Sequence, residues 1–177
     1  MVRLGYREAI VRSGVLERLS AFDPHVAGTP PLGLELATSD IDILCHCPAP
    51  DVFATALWHG FSDAEGFAMQ QWVGDGRAII AGFILHGWPF EIFGQGIPVR
   101  DQQGWRHFRV EQRLLALGGE ELRGAVLKRR RAGMKTEPAF AVVLDLPGDP
   151  YQAMLELEML PDAALVRHLR AAGIEAG

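Results

Sequence analysis

The chain has 177 residues, 49% of them hydrophobic and 22% charged, and a formal net charge of −5. This is an ordinary globular mix, and the length buries a core without disulfide or metal staples, so residues 1–177 are expected to form one domain. The acidic balance argues against a general DNA or RNA binder, whose phosphate-rich partner calls for a cationic surface.

Residues 7–22 carry Ile10, Val11, Val15, Leu16 and Leu19 at helical spacing, and Asp23-Pro24 stops that helix. The segment lacks the unbroken apolar stretch of a secretory leader, and no later run is long enough to span a bilayer. No membrane partner and a cytoplasmic location are therefore expected. Residues 25–29 form a short strand, after which Pro30-Pro31 and Gly33 force a turn. Residues 41–45 form a second strand by alternation and β-branched content, and residues 49–61 a helix with Pro50 in its first turn.

Residues 67–73, 78–86 and 89–93 follow as an antiparallel meander separated by Gly74-Asp75-Gly76 and Gly87. Beyond Gly96 the pattern becomes helical, over 101–117, 120–132, 138–144, 151–160 and 162–172. The expected fold class is α+β: a mixed sheet in residues 1–96 flanked by helices, and a helical half in residues 97–177. Cys45 and Cys47 lie two apart on or beside one strand, a poor spacing for a disulfide, and read as small buried hydrophobes.

Asp40 and Asp42 flank Ile41 at the start of a strand. Strand geometry points both carboxylates to one face with Cα atoms roughly 6.6 Å apart. Two carboxylates so close repel each other unless a cation intervenes, and hard oxygen ligands suit Mg2+ or Mn2+. Upstream stands Val26-Ala27-Gly28-Thr29, then a ten-residue spacer (30 to 39), then Asp40-Ile41-Asp42-Ile43. Phe90-Glu91-Ile92 places a third acid on a later strand.

This order of motifs resembles the nucleotidyltransferase superfamily, with its polymerase-beta-like fold. The likeness extends from Gly28 to Tyr151 and is more specific there. Ser39-Asp40-Ile41-Asp42-Ile43, Phe90-Glu91-Ile92-Phe93-Gly94-Gln95, Gln103 with Arg106-His107, and Lys135-Thr136-Glu137-Pro138-Ala139-Phe140 resemble a bacterial nucleotidyltransferase-like domain family of unknown function. The resemblance implies that Asp40, Asp42 and Glu91 are the catalytic, metal-binding acids. It also implies that Gly28 and Thr29, beside Ser39, cradle the phosphates of a nucleoside triphosphate. The acceptor of the nucleotidyl group, whether a small molecule, an RNA end or a protein, is left open. So is a catalytically silent nucleotide-binding or regulatory role for the same fold.

Many small members of the superfamily carry a cation just after the glycine and hydroxyl residue, but residues 30–35 here are Pro-Pro-Leu-Gly-Leu-Glu. Lys135, at a helix junction beside Thr136-Glu137-Pro138, is the expected nucleotide-binding substitute, set apart from the neighbouring Lys128 to Arg131 cluster. A second source is the helical face of Arg106, Arg109 and Arg113, for which solvent exposure is the ordinary reading. His107 either binds substrate or satisfies a core contact.

Overall fold

The computed structural model describes residues 3–72 and 77–175. Val73 and the expected Gly74-Asp75-Gly76 turn lie outside the described residues. The chain divides into two compact units. One comprises Met1–Pro31 and Ala37–Trp105, the other Leu32–Leu36 and Arg106–Gly177.

The first unit is organised by a five-stranded sheet. Its strands are β1 (His25–Ala27), β2 (Ile41–His46), β3 (Glu65–Gln71), β4 (Ile79–Leu85) and β5 (Trp88–Gln95), in the spatial order β1-β2-β5-β4-β3. The expected meander is present, since β4 pairs antiparallel with both β3 and β5. β5 then runs parallel to β2, and β1 antiparallel to it, so the sheet is mixed.

Alternation along β2 decides which face is buried. Ile41, Ile43 and Cys45 point to one side and are fully buried with Phe90 and Ile92 of β5 and Ala81 and Phe83 of β4. The helix α3 (Pro50–Phe61) covers this face with Phe53, Leu57 and Phe61. Phe53 presses so closely on Gly94 that a Cβ there would lie 2.1 Å from its ring. Burial of a large apolar side chain of this kind stabilises by about 1.5–3 kcal/mol. Cys45 and Cys47 are free thiols inside this core, and burial first, then the charges of Cys47 and Asp23, pushes Cys45 up to about 12.

The single helix expected over residues 7–22 is instead broken. α1 (Tyr6–Ser13) ends at Gly14, whose φ of 61° is left-handed, and α2 (Val15–Arg18) restarts beyond it. Ser13 stabilises the break: its hydroxyl donates to the Ile10 carbonyl at 2.8 Å and accepts from the Val15 amide at 3.3 Å. The periodicity persists across the break because Ala9, Ile10, Val15 and Leu19 all reach one core.

The second unit is helical. It contains α4 (Gln103–Arg131) from Arg106 onward, α5 (Thr136–Val143), α6 (Pro150–Glu158) and α7 (Asp162–Ala171). α4 is two helical runs meeting at Gly119 (φ 55°, ψ −149°), at the Gly118-Gly119 break expected from the sequence. α5 begins at Thr136, earlier than the Pro138 start expected, because proline is tolerated throughout a first turn where no intrahelical N–H partner is needed. Among the described residues no helix is long and apolar enough to cross a membrane.

Glu111 is buried in α4, 5% exposed. Burial, and next the charge of Glu137, push its carboxyl well above the ordinary value of 4.5, against a smaller opposing pull from Arg130. The folded state therefore holds a proton that the unfolded chain releases near 4.5. Stability falls as pH rises through the window between 4.5 and the raised folded value, then levels off. Glu111→Gln is expected to flatten this fall and to raise the melting temperature near pH 8 by about 2–4 °C, the shift that ~1 kcal/mol produces at this chain length. Thermal melts of both proteins across pH check it; an unaltered pH profile would show that the Glu111 carboxyl is not its source.

Candidate functional site

On the sheet face opposite the α3-covered core, the strand register lines up one row across four strands. Ala27 of β1 pairs with Asp42 of β2, Asp42 with Glu91 of β5, and Glu91 with Gly82 of β4. Paired residues share a face, so the two acids are neighbours with the small residues Ala27 and Gly82 at either end. Asp40, one residue before β2, points the same way as Asp42 by the period of two. The sequence-predicted acids Asp40, Asp42 and Glu91 thus gather on one face.

Gly28 follows β1 with φ of 72°. A Cβ built there would lie 1.9 Å from Oδ2 of Asp42, so the Asp42 carboxylate occupies the space that any other residue would fill. The glycine is required twice, for its left-handed backbone and for this close approach. Thr29 donates its hydroxyl to that of Ser39 at 3.0 Å, which ties the Gly28-Thr29 corner to the residue preceding Asp40. Ser39 is buried, 6% exposed.

The carboxylates sense one another. Glu91 is pushed above its ordinary value, first by partial burial of the carboxyl and then by the negative charge of Asp40. Among the described residues no Lys, Arg or His forms an ion pair with Asp40 or Glu91.

Among the described residues no group of three or more His, Cys, Asp and Glu side chains is arranged to enclose a metal ion. A magnesium ion does not need such a cage. It keeps several waters and is commonly held by one or two carboxylates together with substrate phosphate oxygens. Asp42 on β2 and Asp40 just before it, the former seated against a backbone with no side chain, fit that pattern.

The next row on the same face is His25, Leu44, Phe93 and Ile80. His25 meets Asp23 at 3.1 Å and the edge of Trp105 at a centroid distance of 4.9 Å. Neither residue was singled out by sequence; a lone histidine in a three-residue strand carries no local signal.

The cationic candidates fall in the second unit, and most serve its structure. Arg106 pairs with Glu158 at 2.7 Å. Arg113 pairs with Asp162 at 2.7 Å and donates to the Glu158 and Leu160 carbonyls at 3.0 and 2.8 Å. The solvent exposure expected for these two is therefore corrected: both are partly buried and tie α4 to α6 and the start of α7. Arg109 is exposed. His107 is buried, its Nε2 2.9 Å from the Tyr151 carbonyl and its Nδ1 3.7 Å from Glu137, which makes it a core contact. Arg130, expected on a solvated face, donates to the Leu34 carbonyl instead. Lys135 is exposed at the N-cap of α5.

The family model for a domain of unknown function, DUF4269, matches residues 8–157. No curated protein matches the chain. Several solved structures share its fold. The Cid1 poly(U) polymerase bound to MgATP is 13% identical with a TM-score of 0.58, over 85% of this chain and 47% of that one. The GLD-2/RNP-8 complex is 12% identical with a TM-score of 0.58, over 93% and 64%. A cytoplasmic RNA terminal U-transferase is 17% identical with a TM-score of 0.55, over 78% and 44%. The chain thus spans from under half to just under two thirds of these proteins, and the likeness at such identities is one of fold. That fold is a nucleotidyltransferase-like α+β arrangement, and with a match over residues 8–157 the chain belongs to the domain family of unknown function DUF4269.

Proposed function

We propose that this protein transfers a nucleotidyl group from a nucleoside triphosphate to a hydroxyl acceptor, releasing pyrophosphate. The observation that carries the proposal is the seating of the Asp42 carboxylate against Gly28, in register beside Glu91 and on the face of Asp40. Structural neighbours whose names describe a poly(U) polymerase, bound to MgATP, and an RNA terminal U-transferase support it at the level of fold.

In this reading Asp40 and Asp42 would hold magnesium or manganese, and Glu91 would complete the set. When bound, the metal supplies charge compensation to the attacking and leaving oxygens and lowers the pKa of an acceptor hydroxyl. Gly28 leaves room for the Asp42 carboxylate beside the backbone that a triphosphate would approach. Thr29 and Ser39 hold the corner in place through their hydroxyl contact, and in this reading the corner would lie against the phosphates. Burial and the charge of Asp40 push the Glu91 carboxyl above its ordinary value, and an arriving cation would favour its charged form. The acceptor is a small molecule, an RNA end or a protein.

Asp40→Asn and Asp42→Asn are each expected to weaken metal-dependent ATP binding by about 10–100-fold or more, the range for disrupting a metal site. Gly28→Ala should act with them, because its Cβ displaces the Asp42 carboxylate. Calorimetry with Mn2+ and each ribonucleoside triphosphate checks this; equal affinity in wild type and all three variants removes the site. For Asp40→Asn the metal-free protein should be no less stable, since Glu91 loses a repulsive neighbour.

Glu91→Gln should separate binding from chemistry. Turnover is expected to fall on the order of a hundredfold, with nucleotide affinity changed far less. Pyrophosphate release in the presence of a candidate acceptor is the measurement, and nucleotide binding with no release from wild type would favour a silent binding domain.

Lys135 is proposed as a phosphate contact because it stands at a helix junction and residues 30–35 carry no cation. Lys135→Ala should weaken triphosphate binding while Arg129→Ala, on an exposed neighbour of the same cluster, should not. Equal losses would point to diffuse electrostatics. Arg130 is an unsuitable control because it holds the Leu34 carbonyl.

A further inference from the structure

The segment before α1 is bound to the sheet through Arg3. Its guanidinium stacks over the Trp88 ring, Cζ 3.3 Å from the centroid. The two terminal nitrogens donate to the carbonyls of Ala37 and Ser39. The Trp88 indole N–H donates to the Leu4 carbonyl at 2.7 Å, which fixes the segment from the other side. Gly87, with φ of 79° in the turn between β4 and β5, permits the approach: a Cβ there would lie 3.2 Å from the Arg3 Cα. All of these residues belong to the first unit.

The position of the two acceptor carbonyls matters. The Ser39 carbonyl and the Asp40 amide belong to one peptide plane, and that plane is rigid. A guanidinium on the Ser39 carbonyl therefore sets the direction in which the chain leaves toward Asp40. A second bond to Ala37, two residues earlier, anchors the preceding backbone and so restricts how far that plane can turn. The fork suits this task because its donors are planar and fixed, whereas an ammonium offers one movable point charge. Ser39 is also the residue whose hydroxyl receives Thr29, so the same short stretch is held on the phosphate-corner side. Trp88 opens β5, three residues before Glu91, and thus links the Arg3 clamp to the strand bearing the third acid.

We infer that Arg3 is a positioning residue for Asp40: it clamps the 37–39 backbone onto the β4–β5 turn so that Asp40 enters the metal-binding face in one orientation. This rests on the acidic site of the preceding subsection. Arg3 does not touch substrate; it acts through the Ser39–Asp40 peptide.

The test uses the full chain with Arg3→Met, which keeps much of the stem and removes the fork, and Arg3→Lys, which keeps the charge. Arg12→Met serves as the surface control, since among the described residues Arg12 makes an exposed pair with Glu8 on α1. The readouts are MnATP affinity well below the melting temperature and amide hydrogen exchange at residues 39–42. Arg3→Met is expected to lose about tenfold in MnATP affinity, comparable to removal of a charged hydrogen-bonding group. Exchange at 39–42 should rise in the same variant, with Arg3→Lys intermediate in both readouts and Arg12→Met at wild type. A folded Arg3→Met with unchanged MnATP affinity overturns the inference, even if exchange rises, because the clamp would then be structural only. If Asp42→Asn weakens MnATP binding while Arg3→Met does not, the site stands and the inference fails. If wild type itself does not bind MnATP, both fail.

Discussion

The parallel pairing of β2 with β5 is the constraint on which the rest depends. It sets Asp42 beside Glu91 and, through β1 on the other side, brings Gly28 against the Asp42 carboxylate. A shift of one residue in that register would carry every acid to the α3-covered core and every isoleucine to the open face. The core prevents the slip. Ile41, Ile43, Phe90 and Ile92 are fully or almost fully buried. The hydrophobic pattern that holds the sheet together is thus also what aims the acids.

Gathering acids on one face has an electrostatic consequence. Glu91 is pushed upward by burial and by Asp40, so the arrangement without a cation is a strained distribution of charge. Protonation or a divalent ion would relieve that repulsion. The donors are hard oxygens, and the described residues form no closed cage. In the proposed reading, the site would take an ion that arrives with phosphate ligands of its own more readily than a permanently held structural metal.

The second unit uses its charges differently. Arg106 and Arg113 bind carboxylates and carbonyls of α6 and of the residues leading into α7, Arg123 and Arg130 donate to carbonyls of residues 32–36, and His107 closes on Tyr151. A guanidinium committed to a backbone carbonyl is a fixed strut. Helical spacing shows that three arginines share a face but is silent on what that face meets. Glu111, buried in α4, has its charge disfavoured by that burial and then by Glu137, against a smaller pull from Arg130.

Much of the first unit was legible locally. Period-two alternation and glycine punctuation gave the meander and β2, because strand burial on one face writes itself into neighbouring residues. The Gly28-Thr29 corner and the Asp40-Ile41-Asp42 and Phe90-Glu91-Ile92 motifs stood out in the sequence because each is a distinctive set of residue types over two or three positions, and the chemistry proposed for them rests on that reading. What no local pattern carried was pairing between distant segments. That β2 lies beside β5, that the Asp42 carboxylate fills the place of a Gly28 side chain, that Gly14 splits a periodic helix, and that Arg3 reaches Ala37 and Ser39 were all decided by tertiary structure. Each depends on contacts between residues far apart in sequence or on a backbone angle that only glycine adopts cheaply, and neither leaves a periodic trace.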